Sequence, residues 1–188
     1  MPHPAQITRD ALIARAWEMA EAEGVEQMTL AKLAAALGVK APSLYHHMRS
    51  KADLLRAINE RTTQQLFAAL HETLAAASDA PAAERIHRLA AAYRAFAQAH
   101  PITYMLAFTT VEVEARPDPT FQEQGVLPIQ AVLTELTGAD ASLAAIRGLL
   151  ALMHGFVMLE INDQFRRGGD LDAAYTQGIE VYLRGITG

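Results

Sequence analysis

An all-α fold is what this 188-residue chain predicts, and three features carry the prediction. Apolar residues make up 51% of it and aromatics only 6%, with alanine and leucine abundant, whereas pleated surfaces select β-branched and aromatic side chains. Apolar residues recur at three- and four-residue spacing along most of the chain, the period of one helical face. Breaks at Gly24, Gly38, Ser78-Asp79-Ala80-Pro81 and His100-Pro101 cut that pattern into helix-sized pieces.

The first helix opens with a hydrophobic staple, Ile7 and Leu12 around an N-cap at Thr8, and runs to about Glu23. Leu12, Ile13, Ala16, Trp17 and Ala20 form its apolar face, and Trp17 reads as a core residue bracing the next two helices. Thr29 caps a second helix whose inner face is Leu30, Leu33, Ala34 and Leu37, and Gly38 ends it in the left-handed conformation. A third, short helix begins near Lys40 or Ala41 with Pro42 in its first turn, where a missing N–H costs nothing. Two helices about a glycine-containing turn of three or four residues make a helix-turn-helix, whose second helix lies in the major groove of DNA. Leu44 and Met48, four apart, point inward, which leaves Ala41, Ser43, Tyr45, His46 and His47 outward.

Ser50-Lys51-Ala52-Asp53 resembles a capping box with Asp in place of the usual Glu or Gln, and starts a helix reaching about Ala77. At 1.5 Å per residue that rod is about 40 Å long. Further helices are predicted at about 83–99, from Pro101 through Phe108, and at 121–137, 141–167 and 171–186. Between them, Val111 to Thr120 is the best loop candidate, with two prolines and several charges. Gly148 and Gly155, inside the 141–167 helix, predict close packing against a neighbouring helix.

Charge divides the chain into two modules. Residues 1–51 sum to +1 and residues 52–188 to −6, and from Gln27 to Ala52 there are four basic residues and no acid. A local basic stripe on an acidic chain marks a surface for a polyanion, and the acidic remainder should face away from it. There are no cysteines, which excludes disulfides and thiolate metal sites. The N-terminus has no signal-peptide pattern and no run of 18 apolar residues occurs, so a soluble, cytoplasmic protein is expected.

In T-x-x-x-L-A-x-x-L-G-V over Thr29–Val39, P-S-L-Y-H-H over Pro42–His47 and S-K-x-D-L-L over Ser50–Leu55, the sequence resembles the TetR family of one-component transcriptional regulators. It departs at Met48, where the family usually has an aromatic. The resemblance implies an N-terminal three-helix helix-turn-helix DNA-binding domain at 1–51, then a larger helical effector-binding and dimerisation domain at 52–188, its two-fold interface on the last two long helices. It implies a ligand-responsive repressor that binds a palindromic double-stranded operator as a homodimer. Thr29, Tyr45 and Lys51 would hold the backbone and Ala41, Pro42, Ser43 and His46 would face base edges, with Lys40 and His47 beside them. Met153-His154-Gly155-Phe156-Val157 resembles the Trp-His-Gly class of C-terminal domains, with Met153 replacing the tryptophan. A small, largely apolar effector is expected among Tyr93, Phe96, Met105, Phe108, His154 and Met158.

No catalytic, metal or cofactor constellation is legible. His46 and His47 are adjacent rather than four apart, and neither a phosphate-binding glycine loop nor a Ser-His-Asp motif is present. The alternatives are a helical small-molecule carrier or enzyme, or a protein-interaction module, without DNA binding. The acid-free stretch from Gln27 to Ala52 argues against them.

Overall fold

The computed structural model describes residues 7–187. Among these, nine α-helices follow one another with no strand: α1 Arg9–Glu23, α2 Leu30–Ala36, α3 Ala41–Leu44, α4 Lys51–Ala76, α5 Ala82–Ala99, α6 Pro101–Thr109, α7 Pro119–Thr137, α8 Ala139–Ile161 and α9 Leu171–Thr187, with a 3-10 turn at Val113–Ala115. They form two compact units, one drawn from Met1–Thr63 and His100–Pro119, the other from Gln64–Ala99 and Thr120–Gly188. The expected boundary at 51/52 follows chain order, whereas compactness carries α6 and the 3-10 turn back to the N-terminal helices and divides α4 between the units.

In the first unit the predicted inner faces meet. Leu12, Ala16, Trp17 and Ala20 of α1, Leu33 of α2, Leu44 of α3, Met48, and Leu54 and Ile58 of α4 form one buried cluster. The Trp17 indole N–H donates to Thr62 Oγ1 at 2.9 Å, and its ring meets His100 edge-on at 4.8 Å between centroids. The Glu21 carboxylate accepts from the Ile102 and Thr103 N–H groups and the Thr103 hydroxyl, at 2.8–3.1 Å. A helix N-terminus presents unpaired N–H groups, so an anion there both caps α6 and ties it to α1. Buried Asn59 of α4 donates to the Ala115 carbonyl at 2.8 Å and to Thr110 Oγ1 at 3.2 Å. The predicted loop is therefore anchored at its middle: Ala115 is buried, while Glu112 and Glu114 are exposed as charges in a loop should be.

In the second unit α5, α8 and α9 pack on one another through Leu89, Tyr93, Leu149, Met153, Val157, Ile179 and Leu183, all buried. Arg94 reaches both Glu160 carboxylate oxygens, at 2.8 and 2.6 Å, and Asp172 at 2.7 Å, while lying 5.7 and 5.3 Å from the ring centres of Phe156 and Tyr175. Gly148 meets its expectation: a Cβ there would lie 2.6 Å from the Tyr182 hydroxyl. Gly155 does not, since nothing outside its own helix lies within 4 Å of a Cβ at that position.

Helix α8 ends at Ile161, short of the expected 167. The Asn162 amide donates to the Met158 carbonyl at 2.7 Å, and Asp163 takes a φ of 52°. The Asp163 and Gln164 N–H groups then turn back to the Glu160 and Leu159 carbonyls, a Schellman closure with Asp at the left-handed position. Asn and Asp tolerate that conformation better than other side chains, so the stop was encoded locally.

Candidate nucleic-acid interface

The turn between α2 and α3 is built as its residues dictate. Thr29 Oγ1 accepts from the Lys32 N–H at 3.2 Å, capping α2. Gly38 has a φ of 68°, its N–H reaches the Ala35 carbonyl at 3.1 Å, and the Val39 N–H reaches Ala34 at 3.0 Å. These two bonds form a second Schellman motif, and a side chain at position 38 would be strained. The chain leaves through Lys40, extended and exposed, into α3 with Pro42 in its first turn.

Regular helix covers four residues of α3 and stops short of Tyr45, His46 and His47. Beyond Leu44 the coil tightens, with both the His47 and Met48 N–H groups reaching the Leu44 carbonyl at 2.9 Å. Leu44 and Met48 are buried, so Met48 serves as the apolar plug in place of an aromatic. Their burial turns the opposite side outward: Pro42, Ser43, Tyr45 and His46 are exposed, Tyr45 to 56%. Thr29, Lys40 and Lys51 are exposed as well. Two expectations need correction: Ala41 and His47 are half-buried rather than outward, Ala41 because it packs on the core of the first unit.

The start of α4 is fixed by the predicted capping pair with one change. Ser50 Oγ accepts from the Asp53 N–H at 3.1 Å, and Asp53 Oδ2 accepts from the N–H of Arg49 at 3.1 Å, one residue earlier than in the usual box. Asp53 Oδ1 also receives Arg56 at 2.7 Å. The Arg49 backbone bond and the Arg56 guanidinium outweigh partial burial and hold the Asp53 carboxyl below its ordinary 3.8. A depressed carboxyl stabilises the fold above pH 3.8, and that contribution is lost as pH falls through the lower, folded value. Asp53→Asn should therefore flatten the acid limb of a stability-against-pH curve below about pH 4, measured by urea midpoints at stepped pH; an unchanged acid limb would remove Asp53 from this account.

Beside the outward row lies a cleft of about 600 Å³, lined by His46, His47, Arg49, Asp53, Arg56 and Arg9, among others. Arg9 and Arg56 were not among the candidates, and Arg49 counted only toward the charge. Arg49 was legible as part of the acid-free stretch. Arg9, far away in sequence, reaches the cleft only through the packing of α1.

The effector candidates fall into two groups. Met105 and Phe108 are half-buried on α6 in the first unit, while Tyr93, Phe96, His154 and Met158 are buried or half-buried in the second. Burial lowers the His154 pKa below its ordinary 6.5, so the ring is neutral at pH 7.

A helix-turn-helix with two buried anchors and an exposed basic rim, joined to a helical second unit, defines a DNA-binding transcriptional regulator. Residues 12–58 match the family of bacterial regulatory proteins of the TetR type, and residues 86–182 match its tetracyclin repressor-like C-terminal domain. An uncharacterised HTH-type transcriptional regulator of Mycobacterium tuberculosis is 34% identical over 177 residues, 92% of this chain and 78% of the relative. Among solved structures, a Rhodococcus sp. RHA1 protein of unknown function has a TM-score of 0.82 at 25% identity, with both chains covered in full. A TetR variant of Acinetobacter baumannii AYE in complex with minocycline has a TM-score of 0.65 at 19% identity, covering 95% of this chain and 96% of that one. The chain belongs to the TetR family.

Proposed function

We propose that this regulator is a cytoplasmic, ligand-responsive repressor that binds a palindromic operator as a homodimer. The observation that carries this reading is the inward anchoring of Leu44 and Met48, which leaves Pro42, Ser43, Tyr45 and His46 facing out between the exposed cations Lys40 and Lys51. Thr29, Tyr45 and Lys51 grip backbone phosphates and set register. Pro42, Ser43 and His46 read base edges, with Ala41 and His47 fixing the approach. One short element reads few base pairs, so two copies about a dyad are needed.

The dimer forms through α8 and α9. Leu143 and Leu150, seven apart on one face of α8, and Val181 of α9 are exposed to 47%, 43% and 61%. The most apolar 18-residue window of α8 has a mean hydropathy of 1.7 with a third of it buried, which by length and composition alone would also suit a membrane span. In a DNA-binding regulator that apolar surface is better covered by a second copy.

The effector is small and largely apolar, taken up within the second unit by the residues around Tyr93, Phe96, His154 and Met158. It acts by population shift: a ligand that favours a conformation with the reading elements misplaced must weaken operator binding, and operator must weaken ligand binding equally.

Selection of bound fragments from random DNA should return a palindrome with half-sites about 10 base pairs apart, or a multiple of that. On the selected site, Lys51→Ala should reduce the slope of log affinity against log salt by about one per subunit across all sequences, whereas His46→Ala should relax preference at one position. Fragments without dyad symmetry, or a Lys51→Ala slope equal to the parent's, would overturn the assignment. Operator affinity unchanged by ligands that bind tightly would overturn the switching mechanism.

A further inference from the structure

The cleft of about 600 Å³ beside the outward row belongs wholly to the first unit, and its charges come from separate places in the chain. Arg9 stands at the start of α1, Arg49 in the turn after α3, and Asp53 and Arg56 in the first turns of α4. Glu114 arrives from the 3-10 turn that follows α6. Apart from the histidines, three arginines face two carboxylates, and all three arginines are exposed.

The two carboxylates are not equivalent. Asp53 is engaged within the fold, accepting from the Arg49 N–H at 3.1 Å and from Arg56 at 2.7 Å. Glu114 is exposed and makes no ion pair or side-chain hydrogen bond among the described residues. Its place is nevertheless fixed by the backbone around it. Ala115, the next residue, is buried; its carbonyl receives the Asn59 amide at 2.8 Å and its N–H reaches the Glu112 carbonyl at 3.1 Å. The Arg116 guanidinium donates to the Val111 carbonyl at 2.9 Å and closes the loop from the other side. A clasped turn therefore holds a carboxylate at a cationic cleft where it has no bond of its own to satisfy, and what it contributes there is charge.

From this arrangement we infer that Glu114 is an electrostatic brake on DNA binding: its carboxylate competes with a DNA backbone phosphate for the guanidinium groups of Arg9 and Arg49. This inference rests on the DNA-binding reading above. Charges closer than a Debye length, about 10 Å at 0.1 M salt, act on one another, so a fixed anion in the lining disfavours a phosphate entering it. Phosphates carry no sequence information, so the brake acts on operator and unrelated DNA alike. Glu112 supplies the comparison: it has the same charge and exposure on the same loop but does not line the cleft.

Titrations of the full chain against a duplex selected from random DNA and a scrambled duplex of the same composition test this, across a range of salt concentrations. Glu114→Gln should tighten binding to both duplexes by about fivefold at about 50 mM salt, with the gain gone near 500 mM. It should also steepen the slope of log affinity against log salt by up to about one per subunit, as one more phosphate is neutralised. Arg9→Gln should weaken binding to both and make the slope shallower by about the same amount. Glu112→Gln should change affinity by less than about twofold. The inference is overturned by a Glu114→Gln affinity equal to the parent's, by a gain confined to the selected duplex, by an equal gain from Glu112→Gln, or by an Arg9→Gln slope equal to the parent's. A parent that binds DNA while any of these results holds loses only the brake; a parent that binds neither duplex loses the DNA-binding reading, and the brake with it.

Discussion

Arg94→Met should lower the stability of the chain by about 3–5 kcal/mol, the usual cost of stripping one partner from a buried ion pair. The side chains of Arg94 and Glu160 are 11% and 15% exposed, so the Glu160 carboxylate left behind, with only the neutral Gln98 amide among the described residues donating to it, at 3.1 Å, would have little water to replace the guanidinium. The neighbouring carboxylate of Asp172 is 85% exposed and stays solvated, so it adds little to the loss. Removing both partners as Arg94→Met with Glu160→Met should recover most of the stability, because two apolar side chains leave no uncompensated charge. Urea midpoints of the parent and the two variants check this; a double variant as unstable as Arg94→Met would show that the packing of the arginine stem, not its charge, is what matters.

Trp17→Ala should cost a similar amount, about 3–5 kcal/mol, and abolish DNA binding with it. The indole is 9% exposed at the centre of the first unit and touches three of its parts: the α1 core, Thr62 of α4 and His100 at the start of α6. Trp17→Phe separates volume from hydrogen bonding. It keeps most of the apolar surface but leaves Thr62 Oγ1, which already donates to the Ile58 carbonyl, without its donor. That change should cost about 1–3 kcal/mol. Thermal unfolding of both variants, with operator binding at a temperature where each remains folded, distinguishes loss of fold from loss of reading. A Trp17→Ala protein as stable as the parent would mean that the indole is not what joins α1 to α4 and α6.

Much of the reading head was legible in local sequence. Caps at Thr8, Thr29 and Ser50, the left-handed Gly38, and the inward pair Leu44 and Met48 all sit where their spacing put them. Each of these depends on bonds or contacts within a few residues, which is the range over which spacing is informative. The misses have physical reasons of the same kind. The early end of α8 needed Asn162 and Asp163 to be weighed as a stop, and the half-burial of Ala41 follows from how tightly α3 sits on the core of the first unit.

Composition, period and capping residues by themselves determined that the chain is helical, where its helices begin, and which short segment after Gly38 turns Leu44 and Met48 inward and Pro42, Ser43, Tyr45 and His46 outward. Tertiary structure alone decided that α6 joins the N-terminal helices, through a Glu21 carboxylate 82 positions from the N–H it caps. It also decided that Asn59 clasps Ala115, that Arg94 finds Glu160, and that Phe67 rests against Gly125. The reason is that a hydrogen bond between neighbours leaves its mark in spacing, whereas a polar or glycine residue whose partner lies about 50 or more positions away has no periodic signal until the helices pack.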